Sequence, residues 1–463
     1  MWWSRRRGSM THTPKRHRES RIPAGRLERL ARFGVLAGEI ALGSLAAGVR
    51  RVTGVDPVAH AMVLTEANAR RLARRLSGLR GAALKIGQML SLQGEDLLPP
   101  EVTRALAIVR ADADAMPHAQ LRRVLGQAYG AGWARRFRDF DLTPVAAASI
   151  GQVHRAVALD GRNLALKIQY PGVARSIESD VDNVATVLRL ARVLPADFDL
   201  TALLAEAQRH LRRETDYLVE AALLERYRHL VDDDPEFVVP RVHPDLTTSR
   251  VLAMDFVDGL PLADLCDGEH PQALRDRLAR RLYRLLFREL FEFRFFNSDP
   301  NFANYLYLPD TGQLGLLDFG GVRELSPDLS ASYARLFRAG IAGDRGALQA
   351  TMQEIGFFPP DEPGHRVTAM VDLFLIGCEP FRHRGAYDFA ASGLPVRARS
   401  AGFELTFRRG FHRSPPPDTV FLHRKLAGMF LLCAQLGARV DVRAMLQPVL
   451  ERMSDVSTVV DRA

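Results

Sequence analysis

Asp299-Pro-Asn-Phe-Ala-Asn304 and Asp318-Phe-Gly320 bracket the stretch Tyr305-Leu-Tyr-Leu-Pro-Asp-Thr-Gly-Gln-Leu-Gly-Leu-Leu317, and their spacing decides the fold. Four residues separate Asp299 from Asn304, and Asp318 follows fourteen positions after Asn304. Between them, two short apolar runs flank Pro309-Asp310-Thr311-Gly312, which predicts a β-hairpin. An Asp-Phe-Gly tripeptide alone carries little information in 463 residues. An Asp-x4-Asn, a turn and that tripeptide in register carry much more.

The composition is that of a globular protein, with 47% hydrophobic and 25% charged residues. The net charge of +9 is localised: residues 1–32 hold ten Lys/Arg against Glu19 and Glu28, a net +8, leaving the other 431 residues at +1. Such an arm suits an anionic surface; a disordered, solvated tail is the plainer alternative. With the body near neutrality, no specific nucleic-acid partner is expected. Cys266, Cys378 and Cys433 lie far apart with no CxxC or Cys/His cluster, so buried free thiols in a reducing compartment are expected. The best candidate for a membrane span, Gly34 to Val49, contains Glu39 and falls short of the roughly 20 apolar residues required. It also lacks the layout of a secretory signal. The expectation is a soluble cytoplasmic protein, with peripheral contact at the inner face of the membrane.

Residues 25–130 read as helices, with apolar positions at three- and four-residue spacing through Leu72, Leu76, Leu79, Ala83, Ile86 and Leu90. Near residue 140 the period changes. Residues 149–170 alternate around Asp160-Gly161, a strong hairpin signal. Helices are predicted from about Gly172 to Leu194 and from Leu200 to Leu230. Residues 237–259 read as two strands leading to Asp258-Gly259, and from Pro271 onward the pattern is helical apart from the hairpin before Asp318. Mixed strands and a helix, then a mostly helical half, match the small and large lobes of a kinase fold.

A protein-kinase-like active site uses Asp299 to face the attacking group, and Asn304 with Asp318 to hold magnesium. Lys167 ends the strand Leu164-Ala-Leu-Lys167, where a lysine held by a carboxylate neutralises the α- and β-phosphates; by itself a strand-end lysine is ordinarily solvated. Ala146, Ala147, Ala148 and Ser149 precede the first strand, where ordinary kinases place glycines that let backbone N–H groups approach phosphate. Without that context an alanine run reads as helix, and here it implies a stiffer loop. Glu214, Asp216 and Glu220 are read as one helix, with Asp216 and Glu220 on a shared face, and one glutamate is the expected lysine partner. Acids on a helix are otherwise a solvated face. Lys85 and Gln88 lie three apart on an apolar N-terminal helix and need partners there. The hinge falls at Met254–Asp258, where backbone groups near Asp255 and Val257 would meet adenine.

Taken together, these motifs resemble those of the UbiB/AarF atypical kinase family. The residues that carry the resemblance are Lys85-Ile-Gly-Gln88 for its KxGQ motif, Ala146-Ala-Ala-Ser-Ile-Gly-Gln-Val-His154 for its alanine-rich loop, and Lys167 for its nucleotide lysine. Glu214-Thr-Asp216 with Glu220, the pair Asp299/Asn304, Asp318-Phe-Gly320 and Arg424-Lys-Leu-Ala-Gly-Met-Phe430 complete it, over about residues 25–450. The chain departs from the family's His-Ala-Asp-Pro-His-Pro-Gly-Asn loop, reading Asn297-Ser-Asp-Pro-Asn-Phe-Ala-Asn304, a change that bears on turnover more than on nucleotide binding. The membrane-spanning C-terminal helices of some relatives are not expected here.

The resemblance implies an α+β, two-lobed protein-kinase-like fold with an N-terminal helical extension. The expected parts are a disordered basic arm (1–32), the extension carrying KxGQ (33–135), a small lobe (136–258) and a large lobe (259–463). The extension is expected to pack across the protein-substrate site, with Lys85 paired to Glu214 or Asp216, and Lys167 to Glu220 with Glu214 as fallback. The expected activity is that of an ATP- and Mg-dependent atypical kinase or ATPase supporting quinone or isoprenoid-lipid metabolism, with a lipid or quinone-precursor substrate. A small-molecule or protein phosphotransferase, or a catalytically weak nucleotide-binding scaffold, are the alternatives.

Overall fold

The computed structural model describes residues 115–460 except 149, 175–176, 180, 183–184, 186–199, 267, 412 and 414. The basic arm, Lys85 and Gln88, most of the 33–135 extension, most of the 172–194 helix and Ser149 lie outside the described residues. The chain divides after Thr215 into two compact units, 115–215 and 216–460 among the described residues.

In the first unit, α1 (His118–Tyr129) buries Leu121, Val124 and Leu125. β3 (Gly151–Ala158) and β4 (Asn163–Gln169) then form the hairpin signalled by Asp160-Gly161, in a register from Gly151 opposite Gln169 to Val157 opposite Asn163. Gly161 has φ +92°, a conformation that side-chain-bearing residues rarely take. β1 (Phe137–Phe140) and β2 (Ala146–Ala147) pair antiparallel with β3. The alanines are thus strand, not helix, because β3 accepts their backbone: Val145 N donates to Val153 O at 2.8 Å and Ala148 N to Gly151 O at 2.9 Å. Along β4, Leu164, Leu166 and Ile168 are fully buried on one face, and Ala165, Lys167 and Gln169 are buried on the other. Each fully buried aliphatic side chain contributes about 1.5–3 kcal/mol.

The helix expected over 200–230 is broken. α2 (Leu200–Glu214) stops, and α3 (Tyr217–Leu230) starts after Asp216, whose carboxylate accepts from Leu218 N at 3.0 Å. Asp216 therefore does not share a helical face with Glu220. A short carboxylate satisfies an orphan N–H at a helix start better than it serves a helix interior.

In the second unit the predicted hairpin is β9 (Tyr305–Tyr307) and β10 (Leu314–Leu316), with Tyr307 opposite Leu314. It turns at Gly312, φ +72°. β5 (Phe237–Val238) and β7 (Leu260–Pro261) extend it to the order β5-β10-β9-β7. The strand expected from residue 237 is short and runs parallel to β10, while β6 (Val251–Asp255) meets the 240s through isolated bridges, Val242 with Met254 and Thr248 with Val251. Pro240 lacks the N–H that a continuous ladder needs. Two strand pairs were illegible in the helical half: β8 (Phe295–Asn297) with β11 (Val322–Glu324), and β12 (Tyr387–Asp388) with β13 (Arg439–Val440). Strands of two or three residues are too short to show a period.

The helices are α4 (Gln272–Phe287), α5 (Pro327–Ala342), α6 (Arg345–Ile355), α7 (Gly364–Gly377), α8 (Glu379–Arg382), α9 (Leu394–Phe403), α10 (Pro417–Gln435) and α11 (Val442–Val460). α4 is the core helix, with Leu278, Leu282, Leu285 and Leu286 buried. Arg281, Arg284 and Arg288 clip it to Glu236, Asp234 and Asp233 ahead of β5. All three cysteines are free; Cys378 and Cys433 are buried, and burial pushes the Cys378 thiol up to about 12. Among the described residues no helix is long and apolar enough to cross a membrane, and no group of three or more His, Cys, Asp or Glu is placed to hold a metal ion.

His154, fully buried on β3, carries a pH-dependent contribution. Its Nδ1 donates to Asp141 O at 2.8 Å, which leaves Nε2 to accept from the Gln152 amide at 2.6 Å. Gln152 Oε1 accepts from Met116 N at 2.8 Å. Burial lowers the imidazole pKa against the opposing pull of the Asp141 carbonyl. The unfolded chain therefore binds more protons once the pH falls through about 6.5, so stability is full above that value and declines below it. Denaturant unfolding at pH 7.5 and 5.5 is expected to show that loss in the wild type and a smaller one in His154→Gln.

Candidate active site

The frame of the site is backbone, built where β8 runs into residues 297–304 beside β11. Ser298 donates twice to Gly321 O, from its N at 3.0 Å and its Oγ at 2.7 Å. Asn297 Nδ2 donates to Asp318 O at 2.6 Å, and its Oδ1 accepts from Asp299 N at 3.1 Å. The loop then closes on itself. Asp299 O accepts from Asn301 N at 2.9 Å and from Asn304 Nδ2 at 3.0 Å, while Leu317 N donates to Asn304 O at 3.0 Å. Asn301 Oδ1 caps a short turn at Phe302–Asn304 through Ala303 N, so Asn304 is held despite the altered loop sequence.

Asp299, Asn304 and Asp318 thus share one hydrogen-bonded frame, as the hairpin spacing predicts. Asn304 uses its amide nitrogen on Asp299 O, which leaves its amide oxygen as the atom suited to a cation. Asp318 accepts Gly320 N on Oδ1 at 2.9 Å. A carboxylate and an amide oxygen are donors of the kind that fit magnesium, which takes one or two protein ligands beside water and phosphate oxygens. Gly321 permits the packing, since a Cβ there would stand 2.9 Å from Asn297 Oδ1.

Beneath the frame lies Glu289, which sequence reasoning missed. It sits in a π-helical turn at Arg288–Phe293 that continues α4, and Arg294 follows with φ 50°, a left-handed backbone that a non-glycine residue seldom adopts. Glu289 Oε1 accepts from Asn297 N and from Tyr227 OH, both at 2.9 Å, and Oε2 meets Lys425 Nζ at 2.6 Å. The Glu289 and Lys425 side chains are 0% and 1% exposed. Burial pulls the Lys425 ammonium down, but the Glu289 charge and the Tyr305 hydroxyl outweigh it, so the group is held above its ordinary value. Tyr227 also packs its ring 4.9 Å from Phe319, which docks α3 on the Asp318-Phe-Gly320 segment.

Lys425's neighbour Arg424, itself buried, donates to Asp299 Oδ1 at 2.9 Å. Gly428, one turn on, leaves room for Pro300; any side chain there would overlap that ring. The signal for these partners was an acid and a lysine set in apolar helices, where each requires a counter-charge.

The other sequence-predicted residues are distributed between the units. Lys167 lies buried on β4 opposite Val153, and buried Glu214 ends α2, both in the first unit. Ala146 and Ala147 form β2 and Ala148 follows it, with Ser149 outside the described residues. Glu220 is buried in the first turn of α3 in the second unit. Asp255 ends β6, its carboxylate meeting His243 Nε2 at 2.8 Å, and Val257 lies against Gly315 of the hairpin. Gly259 approaches Tyr307 O so closely that a Cβ would stand 2.9 Å from it.

Removing one member of the buried pair is expected to be costly. Lys425→Met strands the Glu289 carboxylate and should lower the unfolding free energy by about 3–5 kcal/mol. Glu289→Gln with Lys425→Met leaves no buried charge and keeps an acceptor for Asn297 N, and should recover much of that loss. Urea unfolding of the three proteins checks this; a double variant no more stable than the single one counts against it.

The family model for the ABC1 atypical kinase-like domain matches residues 108–352. The rat "Atypical kinase COQ8B, mitochondrial" is 41% identical over 440 residues, covering 94% of this chain and 83% of that protein. The Saccharomyces cerevisiae "Atypical kinase COQ8, mitochondrial" is 36% identical over 437 residues, covering 93% and 86%. Among solved structures, Rv3197 of Mycobacterium tuberculosis in complex with erythromycin aligns with a TM-score of 0.57 at 26% identity, covering 83% of this chain and 96% of that one. With the Asp299/Asn304/Asp318 frame, the alanine-rich loop and a kinase-like fold, these similarities establish that the chain belongs to the ABC1 (UbiB/AarF/COQ8) atypical kinase family.

Proposed function

We propose that the chain is an ATP- and Mg-dependent kinase or ATPase that supports quinone or isoprenoid-lipid metabolism rather than phosphorylating proteins. The observation that carries this reading is the shared frame of Asp299, Asn304 and Asp318. A tetra-anionic nucleotide needs charge neutralisation from several sides. Asp318 and the Asn304 amide oxygen would hold magnesium, which supplies neutralisation of the phosphate oxygens. Lys167 would meet the α- and β-phosphates, oriented by Glu220, with Glu214 as the other candidate. The backbone of Ala146, Ala147, Ala148 and Ser149 would cover the phosphates, and backbone groups near Asp255 and Val257 would meet adenine. Lys85 and Gln88 would bear on the same cleft from the extension, with Asp216 or Glu214 opposite Lys85.

Asp299 would orient the attacking group. Its Oδ1 accepts from Arg424, which holds the carboxylate in place. Phosphoryl transfer through a loose transition state makes little demand on base strength, which suits hydrolysis or a small acceptor. The relatives' names place those proteins in mitochondria. For this chain we propose a cytoplasmic location with peripheral contact at the inner membrane face, where a lipid-like substrate resides.

Asp318→Asn is expected to abolish Mg-dependent nucleotide binding while leaving the fold intact. Calorimetry with Mg·ATP tests it, and unchanged affinity would sink the assignment. Turnover by the purified chain, with and without anionic liposomes and a quinone-precursor mimic, separates the remaining readings: protein phosphorylation points to an ordinary phosphotransferase, and binding without turnover to a scaffold.

The arm also has its own test. Each Lys/Arg near anionic lipid contributes about 1 kcal/mol, so the net +8 of residues 1–32 should hold the full chain on anionic vesicles at low salt and release it at high salt. Deleting residues 1–32 is expected to abolish co-sedimentation. If both proteins stay in the supernatant, membrane contact through the arm is wrong.

A further inference from the structure

We propose that Asn297 is a positioning residue that joins the proposed catalytic carboxylate of Asp299 to the proposed metal-binding residue Asp318 through the two ends of one side-chain amide. The inference rests on the nucleotide reading above and assigns a role to a residue that otherwise counts only as a departure from the family's loop. Asn297 is buried, and its backbone N–H and both ends of its side-chain amide are engaged. Its N donates to Glu289 Oε1 at 2.9 Å, its Oδ1 accepts from Asp299 N at 3.1 Å, and its Nδ2 donates to Asp318 O at 2.6 Å.

The two side-chain bonds impose opposite demands. Asp299 offers an N–H and needs an acceptor, while Asp318 offers a carbonyl and needs a donor. A single planar group must therefore carry both functions a fixed distance apart, and an amide does so. A carboxylate supplies only the acceptor and sets a negative charge against the Asp318 carbonyl; an aliphatic side chain supplies neither.

The seat of Asn297 is as constrained as its reach. Its backbone is fixed in register with Val322 across β8 and β11, and its N–H is held by Glu289, which Lys425 and Tyr227 also engage. The neighbouring Ser298, the second departure from the family's loop, adds a side-chain bond from Oγ to Gly321 O, beside the one its backbone N makes. Both departures therefore introduce side chains that bond to the segment carrying the metal-binding residue. Gly321 completes the fit, since a Cβ there would press on Asn297 Oδ1 and the Asp299 Cβ. The altered loop thus keeps Asp299 and Asp318 in a fixed relation through its own set of contacts.

The test separates positioning from mere support of the fold. Asn297→Asp, nearly isosteric, keeps the acceptor for Asp299 N and loses the donor to Asp318 O. Asn297→His at pH 8 restores one donor and one acceptor. ADP affinity of the full-length chain is measured by calorimetry with magnesium and with EDTA, beside the thermal unfolding midpoint of each protein. The wild type is expected to bind more tightly with magnesium. Asn297→Asp should lose about tenfold or more of the magnesium-dependent affinity while its affinity in EDTA changes little, and Asn297→His should recover most of it. A purely structural role would lower the midpoint and weaken both affinities alike, which overturns the proposal, as does an Asn297→Asp protein with wild-type magnesium dependence. If Asn297→Asp fails to fold, Asn297→His alone decides: retained magnesium dependence supports the amide bridge, and a folded protein that lacks it overturns it. A wild type that binds ADP equally with and without magnesium removes the nucleotide reading and this inference together.

Discussion

A single carboxylate, Glu289, holds the interior of the second unit in place. It is buried, and it accepts from three directions: the Lys425 ammonium on α10, the Tyr227 hydroxyl on α3 and the Asn297 N–H at the end of β8. A charge in so dry a place is tolerated only with its partners present. The attraction within the pair is offset by desolvation, so its main consequence is geometric rather than a large gain in stability. Any arrangement that moves α3, α10 or β8 strands a charge. The π-helical turn and the left-handed Arg294 place Glu289 and then redirect the chain into β8, a local strain the surrounding packing sustains.

From that seat the loop geometry follows outward. Asn297, fixed at its N–H, reaches Asp299 and Asp318 with its amide, and Asn304 closes the turn on Asp299 O. α10 reinforces the loop from the other side. Its consecutive residues Arg424 and Lys425 reach Asp299 and Glu289, and Gly428 lets Pro300 approach the helix backbone. On the proposed reading, α10 sets the position of the carboxylate that would face the acceptor. That would give α10 a part in chemistry as well as in packing.

The first unit solves a different problem. β4 is buried on both faces, so Lys167 lies in a setting where an ammonium requires a counter-charge. β2 lies on β3 just ahead of it, and the Met116–Gln152–His154–Asp141 chain of hydrogen bonds ties the end of the N-terminal extension to the strand that follows the alanine loop. A stiff alanine loop placed this way owes its shape to β3 rather than to glycine freedom.

Much of this was legible in the sequence, for reasons of range. The Asp160-Gly161 hairpin, the Pro309–Gly312 hairpin and the grouping of Asp299, Asn304 and Asp318 depend on residues within about twenty positions of one another, where turn chemistry and two-residue alternation fix the geometry locally. The break at Asp216 was a local signal read wrongly, since helical periodicity ran through it and hid a capping residue. What only the tertiary structure decided was the partner of each buried charge. Arg424 meets Asp299 across 125 residues of chain, and Glu289 meets Lys425 at similar range. Apolar patterning shows that these charges are buried and need counter-charges, but the choice among several Lys, Arg, Asp and Glu residues is made by packing. Only when α10 settles on the loop does burial exclude water, and only then does the energy of an unpaired charge select one neighbour over the rest.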